Sequence, residues 1–339
     1  MKYPAKPDSE PVRRTAIPAV SKQAHPGGNG VGFIGAGNFA KSVLLPGLKK
    51  TGGVRLTGVA TATGLSGTHV ADKFGFGYAT TDYRQILENP DTATVFIATR
   101  HDLHAPLVCE ALQAGKNVFV EKPLAIDRQQ LGEVMTAAEE SPGLLTVGFN
   151  RRFAPLIRQA KEILVGRTTP LMMIYRVNAG SVPAESWLQR EEGGGRIVGE
   201  VCHFVDTLQF LAGALPAGVQ AVQARGHPDA LSIQISFEDG SVGTIVYSSL
   251  GDRSFPKEYI EVFGAGRVLA IDDFRSATFV SDGNRTRKRT LRQDKGFREE
   301  LRCFLDAISG NGELPIGLPS LAATTETTFA IRDSIGNDL

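Results

Sequence analysis

Cysteine and net charge are both scarce in this chain, and each scarcity removes a class of protein. Three cysteines in 339 residues, Cys109, Cys202 and Cys303, stand far apart. They form neither a disulfide framework nor a zinc pattern, and a reducing cytoplasm is the expected setting. With 37 basic and 36 acidic side chains the formal net charge is +1, so no electrostatic footprint marks nucleic acid as a partner. No apolar run approaches the roughly 18 residues that span a bilayer, so no membrane partner is expected. The first residues lack the apolar core of a secretory signal. There is no Gly-x-Ser-x-Gly nucleophile elbow and no P-loop. His101 and His104 are three apart, but no third ligand of suitable type is nearby, so no metal site is expected.

What remains is an ordinary globular composition, 42% hydrophobic and 22% charged, at a length that suggests two domains. Residues 1–30 hold five prolines and end in Gly27-Gly28-Asn29-Gly30, which reads as an arm leading into the first strand, or one that docks on a partner subunit. From Val31 to residue 149, short apolar strands (Val31–Ile34, Val54–Ala60, Thr94–Ala98, Asn117–Val120, Leu144–Phe149) alternate with helical stretches. That rhythm implies a parallel sheet covered on both faces. Residues 150–339 differ: two helices near Leu156–Leu164 and Ile197–Leu211, then short strands with hairpin signals such as Asp239-Gly240, then closing helices at Phe297–Ile308 and Ser320–Arg332. This pattern predicts an α+β domain on an open, mainly antiparallel sheet.

Glycine is the abundant residue, at 38, and its positions carry the chemistry. Gly35-Ala36-Gly37-Asn38-Phe39-Ala40 follows the first strand and opens a helix. This is the G-x-G-x-x-G/A fingerprint: the first glycine permits the tight turn, the second lets backbone approach a pyrophosphate, and the small third residue allows close helix–sheet packing. Phosphates then sit on the N-terminus of the helix, where free N–H groups face them. The carboxylate that usually holds the ribose 2′-OH, about 20 residues on, is missing. Thr61, Thr63 and Ser66 stand there instead, with no arginine for a 2′-phosphate, so NAD and NADP both remain open.

Val118-Phe119-Val120-Glu121-Lys122-Pro123 places a lysine at the carboxyl end of a strand, the edge where open α/β sheets bind ligands. Ala98-Thr99-Arg100-His101-Asp102-Leu103-His104 ends the preceding strand at the same edge. Further on come Gly148-Phe149-Asn150-Arg151-Arg152-Phe153, and then Gly193-Gly194-Gly195 followed by His203 and Asp206. Four motifs in this order and spacing, over about residues 31–335, resemble the Gfo/Idh/MocA oxidoreductases.

The resemblance implies a Rossmann domain binding NAD or NADP over 31–149 and a substrate and oligomerisation domain over 150–339. The enzyme would pass a hydride between nicotinamide and a secondary hydroxyl or ketone of a sugar, sugar nucleotide or cyclitol. A homodimer or homotetramer through the C-terminal sheet is expected, and a cis peptide before Pro123. Lys122 matches the catalytic lysine, whose ammonium stabilises alkoxide charge and can also move the proton. His203 matches the histidine that acts as general acid/base. Gly35, Gly37, Asn38, Phe39, Ala40, Thr61, Thr63, Ser66, Ala98, Thr99, Arg100, His104, Glu121 and Lys122 are the candidate cofactor contacts. Lys122, Arg152, Asn178, Trp187, Glu200 and His203 are the candidate substrate contacts. Trp187 either stacks on a sugar ring or packs a domain interface.

One departure concerns the carboxylate that many members carry four residues before the histidine. Here that place is Gly199, and the acid stands next door at Glu200. The Gly-Glu-x-Cys-His-Phe-x-Asp wording resembles the C-terminal module of bi-domain oxidoreductases that begin with a zinc-type alcohol dehydrogenase-like domain. Two other readings stand beside the dehydrogenase: a glycoside-cleaving enzyme that retains its NAD, and a non-catalytic dinucleotide-binding subunit. The basic run Arg285–Arg292 reads as a solvated edge strand, with an acidic substrate as its alternative partner.

Overall fold

In a computed structural model the described residues are 15–16, 29–181 and 193–336. Most of the expected N-terminal arm, and Trp187, lie outside them. The chain divides into two units, one holding the described residues up to Glu121 with Gly132–Gly148 and Leu301–Ile316, the other Lys122–Leu131, Phe149–Glu300 and the residues from Gly317 on.

The first unit runs β1 (Thr15–Ala16), β2 (Asn29–Ile34), α1 (Leu45–Thr51), β3 (Val54–Ala60), α2 (Gly64–Phe74), β4 (Tyr78–Thr80), α3 (Arg84–Leu87), β5 (Thr94–Ile97), α4 (His104–Gln113) and β6 (Asn117–Val120). After α5 (Arg128–Glu140), whose ends belong to different units, comes β7 (Leu145–Val147). The sheet order is β1-β4-β3-β2-β5-β6-β7, parallel except for β1, which pairs antiparallel with β4. Strand periodicity explains its core. Phe33, Phe96 and Phe119 share one register across β2, β5 and β6. They stack at 5.0 and 4.7 Å between ring centres, and Phe304 meets Phe96 edge-on at 6.1 Å. Helix α1 is entered through a π turn, Ala40–Leu44. Pro46 explains that widened turn, because it has no N–H to donate and its ring would meet the carbonyl four residues back.

The second unit continues with α6 (Pro155–Leu164), β8 (Met172–Asn178), a π turn at Ile197–Val201 and α7 (Cys202–Ala212). Its remaining strands are β9 (Pro216–Gln223), β10 (Ala230–Phe237), β11 (Val242–Ser248), β12 (Glu258–Gly264), β13 (Arg267–Asp272), β14 (Ser276–Ser281) and β15 (Asn284–Arg289). Two helices follow: α8 (Phe297–Ile308), which belongs to the first unit from Leu301 on, and α9 (Leu318–Gly336). The eight strands run β15-β14-β13-β12-β8-β11-β10-β9, antiparallel save for the parallel β8–β11 pair. Alternation along each strand sends Tyr175, Ile233, Ile245, Tyr247, Ile260 and Ile271 into a core with Phe204, Val205 and Leu208 of α7. The opposite face is open, with Met172, Ile174, Val246 and Phe263 exposed. The basic run forms the edge strand β15, exposed throughout.

Helical spacing places Glu200, His203 and Asp206 near one face of α7 and the turn before it, and Val198, Val201, Val205 and Leu208 on another, apolar face. Val198, Val201, Val205 and Leu208 are buried, but so are His203, Asp206, Thr207 and Gln209. No helix among the described residues is long and apolar enough to cross a membrane.

Candidate functional site

In the first unit the turn after β2 has the form a dinucleotide requires. Gly35 has φ of +86°, and a Cβ there would stand 2.4 Å from the Ala98 carbonyl oxygen, so no side chain fits. Its N–H donates to the Ala60 carbonyl at 2.9 Å, which ties the turn to β3. A Cβ at Gly37 would meet nothing within 4 Å. Gly37, Asn38 and Phe39 are exposed, whereas Ala40 is buried. Open space over a helix N-terminus fits a pyrophosphate.

The neighbouring candidates divide. Thr63 and Ser66 are exposed at the start of α2. Thr61 is buried, and its hydroxyl donates to the Thr63 carbonyl at 2.8 Å, which shapes the loop. Ala98, Thr99 and Arg100 are half-buried after β5, and His104 is buried at the start of α4. Glu121 donates its N–H to the Ile97 carbonyl at 2.9 Å and is buried beside Gly148.

Lys122 begins the second unit, next to Glu121 in the chain, and the Lys122–Pro123 peptide is cis. Its Nζ donates to the Gly199 carbonyl at 2.8 Å. That carbonyl lies in the π turn leading into α7, four residues before His203. His203 is buried, edge-on to Phe149, and its Nδ1 has no hydrogen-bond partner among the described residues. Burial, and then the positive charges of Arg151, Lys122, Lys257 and Lys295, hold its pKa well below the usual 6.5. The imidazole is therefore neutral at physiological pH and able to accept a proton. Cys202 beside it is a buried core thiol, pushed up to about 12 by burial, and is chemically quiet.

Three of the expected substrate contacts have partners within the second unit. Arg152 makes a bidentate, buried ion pair with Asp206, its Nε 2.9 Å from Oδ2, and lies over the Phe210 ring. Asn178 donates from Nδ2 to the Asp252 carbonyl at 2.6 Å, holding the loop before β12. Glu200 accepts from Arg196 at 3.0 Å, Tyr247 at 2.5 Å and Lys257 at 2.6 Å. Burial opposes its charge, but these donors outweigh it and hold the carboxyl at about 2.

Sequence reasoning missed a second cluster. Glu258, fully buried, takes Arg151 in a bidentate pair at 2.7 and 3.0 Å, Lys295 at 2.7 Å and the Tyr175 hydroxyl at 2.6 Å. Burial raises its pKa, yet the two cations win and hold it below the ordinary carboxylate range. Arg151 was visible beside Arg152. Its partner Glu258, 107 positions away, was not.

Comparison with known proteins shows the family. A family model described as "Oxidoreductase family, NAD-binding Rossmann fold" matches residues 29–149, and one described as "GFO/IDH/MocA C-terminal domain" matches residues 158–269. Inositol 2-dehydrogenase of Rhizobium meliloti (strain 1021) is 27% identical over 320 residues, which is 89% of this chain and 95% of that one. The levoglucosan dehydrogenase of Pseudarthrobacter phenanthrenivorans is 30% identical over 179 residues, 50% of this chain and 46% of its own. Among solved structures, a levoglucosan dehydrogenase in complex with NADH and levoglucosan superposes with a TM-score of 0.81 at 22% identity, covering 92% of this chain and 98% of that chain. That last likeness is one of fold.

Proposed function

The chain belongs to the Gfo/Idh/MocA oxidoreductase family, with an NAD-binding Rossmann domain, and from that premise we propose that it is an NAD(P)-dependent dehydrogenase acting on a secondary hydroxyl or ketone of a sugar, sugar nucleotide or cyclitol. Residues 31–149 hold the dinucleotide and residues 150–339 the substrate. Gly35, Gly37 and the helix N-terminus from Asn38 carry the pyrophosphate, and Thr63 and Ser66 stand at the ribose. The nicotinamide, when bound, supplies or accepts the hydride.

The chain's own residues do the proton and charge work. His203, neutral through burial and surrounding cations, takes the hydroxyl proton during oxidation and returns it during reduction. Lys122 hydrogen-bonds the same oxygen and stabilises the negative charge that develops on it. The observation that carries this reading is that both groups meet one short segment: Lys122 is held on the Gly199 carbonyl, one helical turn before His203. The names of the relatives support the substrate class.

The exposed apolar residues on the open sheet face, Met172, Ile174, Val246 and Phe263, support self-association as a homodimer or homotetramer. The free cysteines support a cytoplasmic location. Thermal unfolding with NAD and NADP, followed by a nicotinamide absorbance assay with myo-inositol, levoglucosan and a sugar panel, tests the proposal. Stabilisation by a dinucleotide and turnover of a polyol are expected. No stabilisation by either dinucleotide would refute it.

A further inference from the structure

Glu200 stands beside the position where an acidic substrate contact was expected, but its surroundings assign it another task. We propose that Glu200 is a positioning residue for Lys122: its carboxylate, anchored by Arg196, Tyr247 and Lys257, fixes the π turn whose Gly199 carbonyl holds the Lys122 ammonium. The inference rests on the reading of Lys122 as the catalytic amine.

The geometry runs through one peptide plane. The Gly199 carbonyl belongs to the peptide that joins Gly199 to Glu200, so its direction depends on torsions at these two residues. Gly199 has no Cβ to restrict it, and the surrounding π turn, Ile197–Val201, is wider than an α turn. Glu200 removes that freedom from the other side. Its oxygens are tied at 3.0 Å to Arg196 in the same turn, at 2.5 Å to Tyr247 on β11 and at 2.6 Å to Lys257 just before β12. Three anchors from three places fix the Glu200 backbone, and with it the acceptor 2.8 Å from Lys122 Nζ.

The arrangement also explains why a glycine is tolerable at 199. A carbonyl orients the ammonium without neutralising it, so the full positive charge remains for a developing alkoxide. The negative charge sits one residue further on, already matched by Lys257 and Arg196.

Competitive labelling of the purified full chain with acetic anhydride, read by mass spectrometry, tests this without any substrate. Exposed Lys49 serves as the internal reference. Glu200→Gln keeps the side-chain shape but loses the charge, and Lys257→Met changes only a partly exposed side chain. In both, the Lys122-to-Lys49 labelling ratio is expected to rise, by about tenfold for Glu200→Gln, the scale of one hydrogen bond to a charged group. Turnover of the best substrate from the polyol panel is expected to lose about tenfold in kcat with the dinucleotide KM unchanged, and the loss is expected to be absent when Lys122 is already alanine. A wild-type labelling ratio in both folded variants would overturn the proposal, as would a fully additive kinetic cycle. If no polyol is turned over, the dehydrogenase reading fails by itself, while the labelling ratio still decides whether Glu200 positions Lys122.

Discussion

Two glycines of one turn separate folding from ligand binding, and alanine at each gives opposite results. At Gly35, alanine must adopt φ of +86°, which costs about 1–2 kcal/mol for an L-residue. Its Cβ would also stand 2.4 Å from the Ala98 oxygen and 2.7 Å from its carbon. Backbone cannot move aside as a flexible side chain can, so the total loss is on the order of 3 kcal/mol. At Gly37 nothing lies within 4 Å of the new Cβ, and its φ is not left-handed. Folding stability should stay within about 0.5 kcal/mol of wild type. Dinucleotide affinity should nevertheless fall, because the methyl group occupies space that the phosphates enter. Loss of one charge-assisted hydrogen bond, about 2 kcal/mol, corresponds to roughly a 30-fold weaker Kd. Thermal unfolding and calorimetric titration of NAD measure the two quantities independently. If Gly37→Ala bound NAD as tightly as wild type, the pyrophosphate would not lie on this turn.

Glu258→Gln leaves Arg151 and Lys295 facing an uncharged group inside the second unit, and a loss of about 3–5 kcal/mol is expected in denaturant unfolding. Stability should fall in acid, for two reasons with the same sign. The native pKa of His203 lies below its unfolded value of 6.5, so the unfolded chain takes up a proton first as pH drops through that value. Glu200, at about 2 against 4.5, contributes stability above pH 4.5 that is lost between there and pH 2, about 3 kcal/mol in all. Tm measured across this range should decline throughout, and a flat profile would contradict both assignments. With neither carboxylate nor arginine among residues 61–66, NAD and NADP should differ in Kd by less than about tenfold, and a larger ratio by titration would show a missed ribose contact.

The legible parts of the molecule were the local ones. The glycine turn, the Glu-Lys-Pro after β6 and helix α8 could be read because each is decided by neighbours in the chain. Asp127, one residue before α5, has a residue type that favours helix starts, and it accepts the Gln130 N–H at 2.8 Å. Strand β9 was not foreseen, because Ala221 alone among its eight residues is buried. Strand β4 is three residues long, too short for a period to register. Phe304 belongs with Phe96 and Phe119 through packing across some 200 positions, which no window of sequence displays. Separations of 47 to 57 positions hid the partners of Arg152 and Glu200. Their residue types fit a sugar-binding surface, but Asp206, Tyr247 and Lys257 engage them first. Only the Arg196–Glu200 pair, at helical spacing, could have given warning.

The central claim is that Lys122 and His203 carry hydride-transfer chemistry on a carbohydrate-like substrate. Its most direct test compares wild type, Lys122→Ala and His203→Gln in the nicotinamide absorbance assay with the best polyol of the panel. Each variant is expected to lose at least about 100-fold in kcat, the scale of one general acid–base or oxyanion-stabilising group, with NAD binding retained. Undiminished turnover in Lys122→Ala would contradict the account.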